Sequence, residues 1–142
     1  MSLINYSSGT YKSSTLGYRS RLIQKAFANA VRQIVDQEKI ASPITLLVTG
    51  TSGVTLATAT VLLNEDIDIS FISDKYCKDY LTQDRVSIFI DDHIESGRSM
   101  NKVLEAFSIT QFDYIITITS YMDPSDLISK VRKNYFVLRE GA

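Results

Sequence analysis

The chain has 142 residues, the size of one domain, and is long enough to bury a core without disulfides or a structural metal. Apolar residues make up 44% and charged residues 22%; 15 Lys and Arg nearly balance 16 Asp and Glu, so the formal charge of −1 excludes a simple electrostatic nucleic-acid binder. One cysteine and one histidine exclude an intrachain disulfide and a Cys/His zinc site. No apolar run approaches the roughly 18 residues that span a bilayer. The opening MSLINYSSGTYKSS lacks the apolar stretch of a secretion signal, so a cytoplasmic protein is expected.

Residues 1–17 are rich in Ser, Thr, Tyr and Gly and show no periodicity, which reads as an irregular arm. From Tyr18 to about Gln37, apolar residues at Leu22, Ile23, Ala26, Phe27, Ala30, Val31, Ile34 and Val35 trace the stripe of an amphipathic helix. Ser42-Pro43 breaks it. Ile44 to Thr49 is a short strand, and Gly50-Thr51-Ser52-Gly53 reads as a tight loop. A small-residue helix over Val54–Leu63 and a strand over Ile67–Ile72 follow. Residues 73–85 read as a polar loop, and Val86–Ile90 as a strand that ends on Asp91-Asp92. A loop at 93–97 leads to a helix that runs to about Phe107, then a strand over Tyr114–Thr119. Asp123-Pro124 starts a helix that carries Leu127, Ile128 and Val131, and Tyr135–Leu138 is a closing strand. Strands alternating with helices at this spacing predict a single α/β domain: a parallel, Rossmann-like sheet covered on both faces. Ligands of such sheets bind beyond the carboxyl ends of the strands.

The most informative segment runs from Val86 to Met100. Two adjacent carboxylates stand at the end of an apolar strand, and a short loop leads through Ser96, Gly97 and Ser99 into a helix. The backbone N–H groups of such a loop suit a phosphate, and Gly97 permits close approach. Asp91 and Asp92 suit two vicinal hydroxyls or a hydrated Mg²⁺. His93 reads as loop packing or solvent-exposed. Cys77 has no histidine near it in sequence.

This segment resembles the PRPP-binding motif of the type I phosphoribosyltransferases: an apolar strand, two acids, a short loop, Thr/Ser-Gly-x-Thr/Ser and a helix. The resemblance covers roughly residues 44–119. It implies that fold, Asp91 and Asp92 on the ribose hydroxyls and near Mg²⁺, and Glu95, Ser96, Gly97, Arg98 and Ser99 around the 5′-phosphate. It implies a pyrophosphate site at Gly50, Thr51, Ser52 and Gly53, joined by Lys75 and Lys78, which fall on the two lysines of the Arg-Lys-x-x-Lys-x-His pattern of orotate-type members. Asp74 and Tyr80 depart from that pattern where its arginine and histidine stand, and only Leu81 to Arg85 remain for the family's lid. Glu95 matches the acid that serves as general base in 6-oxopurine members, although no lysine occurs near Thr119–Met122. Tyr121 is a candidate for stacking on the base, and Tyr6, Tyr11 and Tyr18 for the hood over it.

The implied activity is transfer of a phosphoribosyl group from PRPP to a purine or pyrimidine base with release of pyrophosphate, by a homodimer that uses Mg²⁺. The resemblance implies that Asp91, Asp92 and Glu95 carry the catalysis. Ser-Gly-Arg-Ser also looks like the loop of uracil-sensing regulators of pyrimidine genes. The alternative, favoured by the short lid and Asp74, is a regulator that binds PRPP or a nucleotide without turnover; the balanced charge leaves a specific RNA partner open. A receiver-like domain with a phospho-accepting aspartate is a weaker match, because the acid pair comes late in the chain.

Overall fold

The structure, a computed structural model, describes residues 17–75 and 84–138. A 3-10 turn at Gly17–Arg19 leads to α1 (Arg21–Glu38), β1 (Ile44–Val48), α2 (Gly50–Leu62) and β2 (Ile69–Ser73). After these come β3 (Val86–Ile94), α3 (Arg98–Ala106), β4 (Phe112–Ser120), α4 (Pro124–Ile128) and β5 (Val131–Val137). All strand pairs are parallel, in the order β2-β1-β3-β4-β5. The chain builds outward from β1 in one direction to β2 and in the other from β3 to β5. That reversal opens a crevice at the carboxyl ends of β1 and β3.

Helices cover both faces. Strand alternation sends Leu46, Val48, Ile88, Ile90, Ile116 and Phe136 to one face, where they pack with Ile23, Phe27, Val31 and Ile34 of α1 and Leu56 and Ala57 of α2. The other face sends Leu47, Phe89 and Ile115 to Met100, Val103 and Leu104 of α3 and Leu127 of α4. There Phe89 stacks on Phe112 with centroids 5.0 Å apart. Burying each such side chain contributes about 1.5–3 kcal/mol, so these two clusters hold the layers together. Among the described residues no helix is long and apolar enough to cross a membrane.

The expected helix over Tyr18–Gln37 is α1. Ser20 starts it, its Oγ accepting from the Ile23 N–H at 3.5 Å. Leu22, expected on the apolar stripe, is 45% exposed. Four boundaries differ from expectation. Residues 50–53 are the first turn of α2 rather than a loop, because Gly50 at φ +69° turns the chain from strand into helix in one residue. β3 does not end before the acids; pairing with β4 carries it through His93 and Ile94. β2 begins at Ile69, where its ladder with Ile44 starts. Val131 opens β5 instead of ending the last helix, because it pairs with Phe112.

Candidate active site

β1 ends at Val48, whereas β3 and β4 continue; β1 pairs with β3 only as far as Phe89, and β3 with β4 as far as Ile94. Asp91 to Ile94 therefore have a neighbouring strand on one side alone, and the notch on the other side is a cavity of about 450 Å³. Its wall comprises Ser52 from α2, the run Asp91 to Ser96, and Gly97 to Met100 at the start of α3.

Asp91 is 7% exposed. Its Oδ1 accepts from the Asp92 N–H at 2.9 Å and from Ser52 Oγ at 3.4 Å. Burial, and then the neighbouring Asp92 carboxylate, push the Asp91 carboxyl up to about 7. Asp92 is half-buried and accepts from the His93 N–H at 2.9 Å. Among the described residues neither acid is in an ion pair, and no three His, Cys, Asp or Glu side chains converge as a metal cage. Two unneutralised carboxylates side by side fit a divalent cation whose remaining ligands come from a bound substrate or water.

Two helices begin at this cavity. The residue before α2, Thr49, makes no side-chain cap hydrogen bond, and neither does Gly97 before α3. At α3 the Arg98 N–H makes only a long contact, 3.4 Å, to Ser96 Oγ. The helices that begin elsewhere, α1 and α4, are capped by Ser20 and Asp123. The first turns of both helices thus border the cavity that holds the acid pair, α2 through Ser52 and α3 through Gly97 to Met100, and the N-terminus of a helix is the positive end of its dipole. Gly53 allows α2 to sit this close: a Cβ there would lie 2.9 Å from Val48 Cβ. Gly97 occupies the left-handed region at φ +84°, which turns the strand exit into α3.

The residues singled out from sequence are distributed unevenly. Asp91, Asp92, Glu95, Ser96, Gly97, Arg98, Ser99 and Ser52 share the cavity. Gly50 and Thr51 are exposed on the first turn of α2 and Lys75 on the turn after β2, all outside that wall. Tyr121 is 75% exposed and also outside it, because its backbone pairs with Ile94 while the side chain projects outward. Lys78, Cys77, Tyr80, Tyr6 and Tyr11 lie outside the described residues. Tyr18 packs against the α1 and α2 core. Asp74, at the end of β2, keeps its side chain 4% exposed and pairs with Lys102 of α3 at 3.6 Å. His93, read from sequence as packing or solvent, belongs to the cavity wall. Pairing with β4, which carries β3 through Ile94, sets this position.

Comparison of this architecture with solved structures finds the same arrangement in purine phosphoribosyltransferases. Adenine phosphoribosyltransferase from Saccharomyces cerevisiae, solved with an imino-altritol bisphosphate and adenine, superposes with a TM-score of 0.61 at 12% identity, covering 87% of this chain and 83% of that one. This chain has the type I phosphoribosyltransferase fold. The xanthine-guanine-hypoxanthine phosphoribosyltransferase of Helicobacter pylori shares the fold with a TM-score of 0.52 at 18% identity over 87% of this chain and 85% of that one. Adenine phosphoribosyltransferase from Thermoanaerobacter pseudethanolicus gives 0.56 at 12% identity over 85% and 82%. No protein-family model and no curated protein sequence matches the chain.

Proposed function

We propose that the protein is a phosphoribosyltransferase, binding PRPP with Mg²⁺ and passing the phosphoribosyl group to a nitrogenous base. One observation carries this reading: the Asp91–Asp92 pair shares a cavity with Ser52 from the first turn of α2 and with Gly97 to Met100 at the start of α3, two helices whose preceding residues make no side-chain cap hydrogen bond. PRPP has the same layout, with a ribose diol between a 5′-phosphate and a pyrophosphate. In this reading the first turn of α3, with Ser96, Arg98 and Ser99, takes the 5′-phosphate. The first turn of α2, with Thr51 and Ser52, takes the pyrophosphate, aided by Lys75 and Lys78. Asp91 and Asp92 hold the ribose hydroxyls. Mg²⁺, when bound beside them, spreads the charge that develops on the leaving pyrophosphate. The base nitrogen attacks C1 while the C1–O bond to pyrophosphate breaks, and Glu95 accepts the proton that the base loses. The protein's task is orientation and charge stabilisation. The fold neighbours act on purines, so purines are the first bases to test.

The second reading, a regulator that binds PRPP or a nucleotide without turnover, is favoured by Asp74. A buried carboxylate stands at the end of β2, on the pyrophosphate side, tied to Lys102. Calorimetric titration of PRPP with and without Mg²⁺, into wild type and Asp91→Asn/Asp92→Asn, tests both. Mg-dependent binding that the double variant loses is expected. No binding at millimolar PRPP refutes the transferase reading and leaves only a regulator that binds a nucleotide. Pyrophosphate release across a panel of bases then separates enzyme from regulator. The reading includes a homodimer, which sedimentation checks.

A further inference from the structure

His93 is the chain's only histidine. β3 carries it beyond the end of β1 and into the cavity wall, between the acid pair and Glu95. The residue is exposed. The parallel register sets it beside Thr119 of β4, and its Nδ1 is within hydrogen-bond distance of Thr119 Oγ1. The Thr117 hydroxyl lies 3.1 Å from the Asp92 carbonyl oxygen and 3.0 Å from that of Thr119, so one side chain ties the peptide before His93 to the peptide of its anchor. The ring is thereby oriented through Nδ1, while Nε2 makes no hydrogen bond among the described residues.

We propose that His93 is a specificity residue that reads the nucleobase, its Nε2 forming a hydrogen bond with the edge of the heteroaromatic ring. This rests on the transferase-type site above. The other polar side chains of the wall are suited to different partners. Asp91, Asp92 and Glu95 repel phosphate and suit hydroxyls, a cation or a proton; Ser52, Ser96, Arg98 and Ser99 suit anionic oxygens. His93 alone offers an aromatic plane and one directional nitrogen, and Tyr121, the other aromatic candidate, stands outside the wall. The threonine anchor serves either tautomer. With the proton on Nδ1, Nε2 accepts from a ring N–H; with the Thr119 hydroxyl donating to Nδ1, Nε2–H donates to an exocyclic oxygen or a ring nitrogen. His93 can therefore match either polarity of base edge without moving.

Because the chain has a single histidine, a tag-free preparation gives one imidazole Cε1–Hε1 signal in a proton–carbon NMR spectrum. Ribose 5-phosphate and the 5′-monophosphates of inosine, adenosine and uridine are the probes, with backbone signals reporting binding of each. The expected result is that at least one nucleotide moves the His93 signal, whereas bound ribose 5-phosphate leaves it in place. In the same titrations His93→Leu weakens that nucleotide about tenfold and ribose 5-phosphate less than about twofold. Thr119→Val, which keeps the ring and removes its anchor, narrows the affinity differences among the three nucleotides. A signal that moves equally with ribose 5-phosphate puts the ring on the sugar phosphate and overturns the proposal. Nucleotides that bind without any of them moving the signal do the same. If no probe perturbs any backbone signal, the transferase-type site itself is refuted, and this inference with it.

Discussion

Asp91→Asn is expected to stabilise the fold at pH 8 while removing PRPP binding. The carboxyl is 7% exposed and lies against the Asp92 carboxylate, and its pKa is raised from the ordinary 3.8 to about 7. The folded state therefore holds a proton that the unfolded chain releases between these two values. The linkage sign follows: the stability this group supports is fully present below about 4 and is lost as pH rises through about 7. At ~1.4 kcal/mol per tenfold change in proton affinity, the total is ~4 kcal/mol, an upper bound reduced by any relaxation around the ionised pair. Asparagine keeps Oδ1 for the Ser52 hydroxyl and the Asp92 N–H and replaces a repelled oxygen with an NH₂ donor. The assay is urea denaturation of wild type and variant from pH 5 to 8, without ligand. Wild type loses stability across the range at a slope of up to ~1.4 kcal/mol per pH unit, whereas the variant stays flatter and gains most at pH 8. Parallel curves for the two proteins refute the argument that burial beside Asp92 destabilises the charged form.

Gly53→Ala puts a Cβ 2.9 Å from Val48 Cβ, a branch point that cannot rotate away, so despite better helix propensity a loss of about 1–3 kcal/mol is expected in thermal denaturation. Gly97→Ala places alanine at φ +84° with its Cβ 3.0 Å from Met122 Sδ; the flexible thioether yields, so a backbone cost of about 1–2 kcal/mol remains, and ribose 5-phosphate affinity is expected to fall with it in calorimetry. Asn64 is 3% exposed, donates to the Ala28 and Thr60 carbonyls at 3.1 and 3.0 Å, and accepts from Arg32 Nε at 3.1 Å. Asn64→Ala is expected to cost about 2–3 kcal/mol in urea denaturation without changing PRPP affinity, because it joins α1 to the end of α2 far from the cavity.

The fold was legible where residues act through periodicity. The stripe from Ile23 to Ile34 becomes the buried side of α1, and the apolar runs at 44–48 and 86–90 become central strands with both faces covered. The neighbourhood of Asp91, Asp92, Ser96, Gly97 and Ser99 was legible too, since a strand, a short exit and a helix start keep residues this near in sequence together in space. Ends of elements were less legible. A run of Gly, Thr and Ser from Gly50 to Gly53 suits a loop as well as a helical turn; the left-handed φ of Gly50, which starts α2 directly after β1, is not readable from the residue types. That His93 stands on a strand at the cavity wall, and that Tyr121 stands outside that wall, was not legible for a related reason. Which side chain enters the cavity depends on how far β4 carries β3 past β1, a property of pairing rather than of either segment.

The uneven length of β1 and β3 also divides the central strand in kinetic terms. Up to Phe89 the strand has a neighbour on each side, but from Asp91 to Ile94 only β4 supports it. Amide hydrogens of the first part exchange with solvent only in large openings of the sheet, whereas those around the acids can exchange through a local opening that leaves the rest folded. The boundary between two cooperative units thus falls within one strand, just before Asp91. A ligand that bridges α2 and α3 across the notch takes the place of the missing strand, and its occupancy is recorded as slowed exchange at 91–94 over an unchanged background at 86–89.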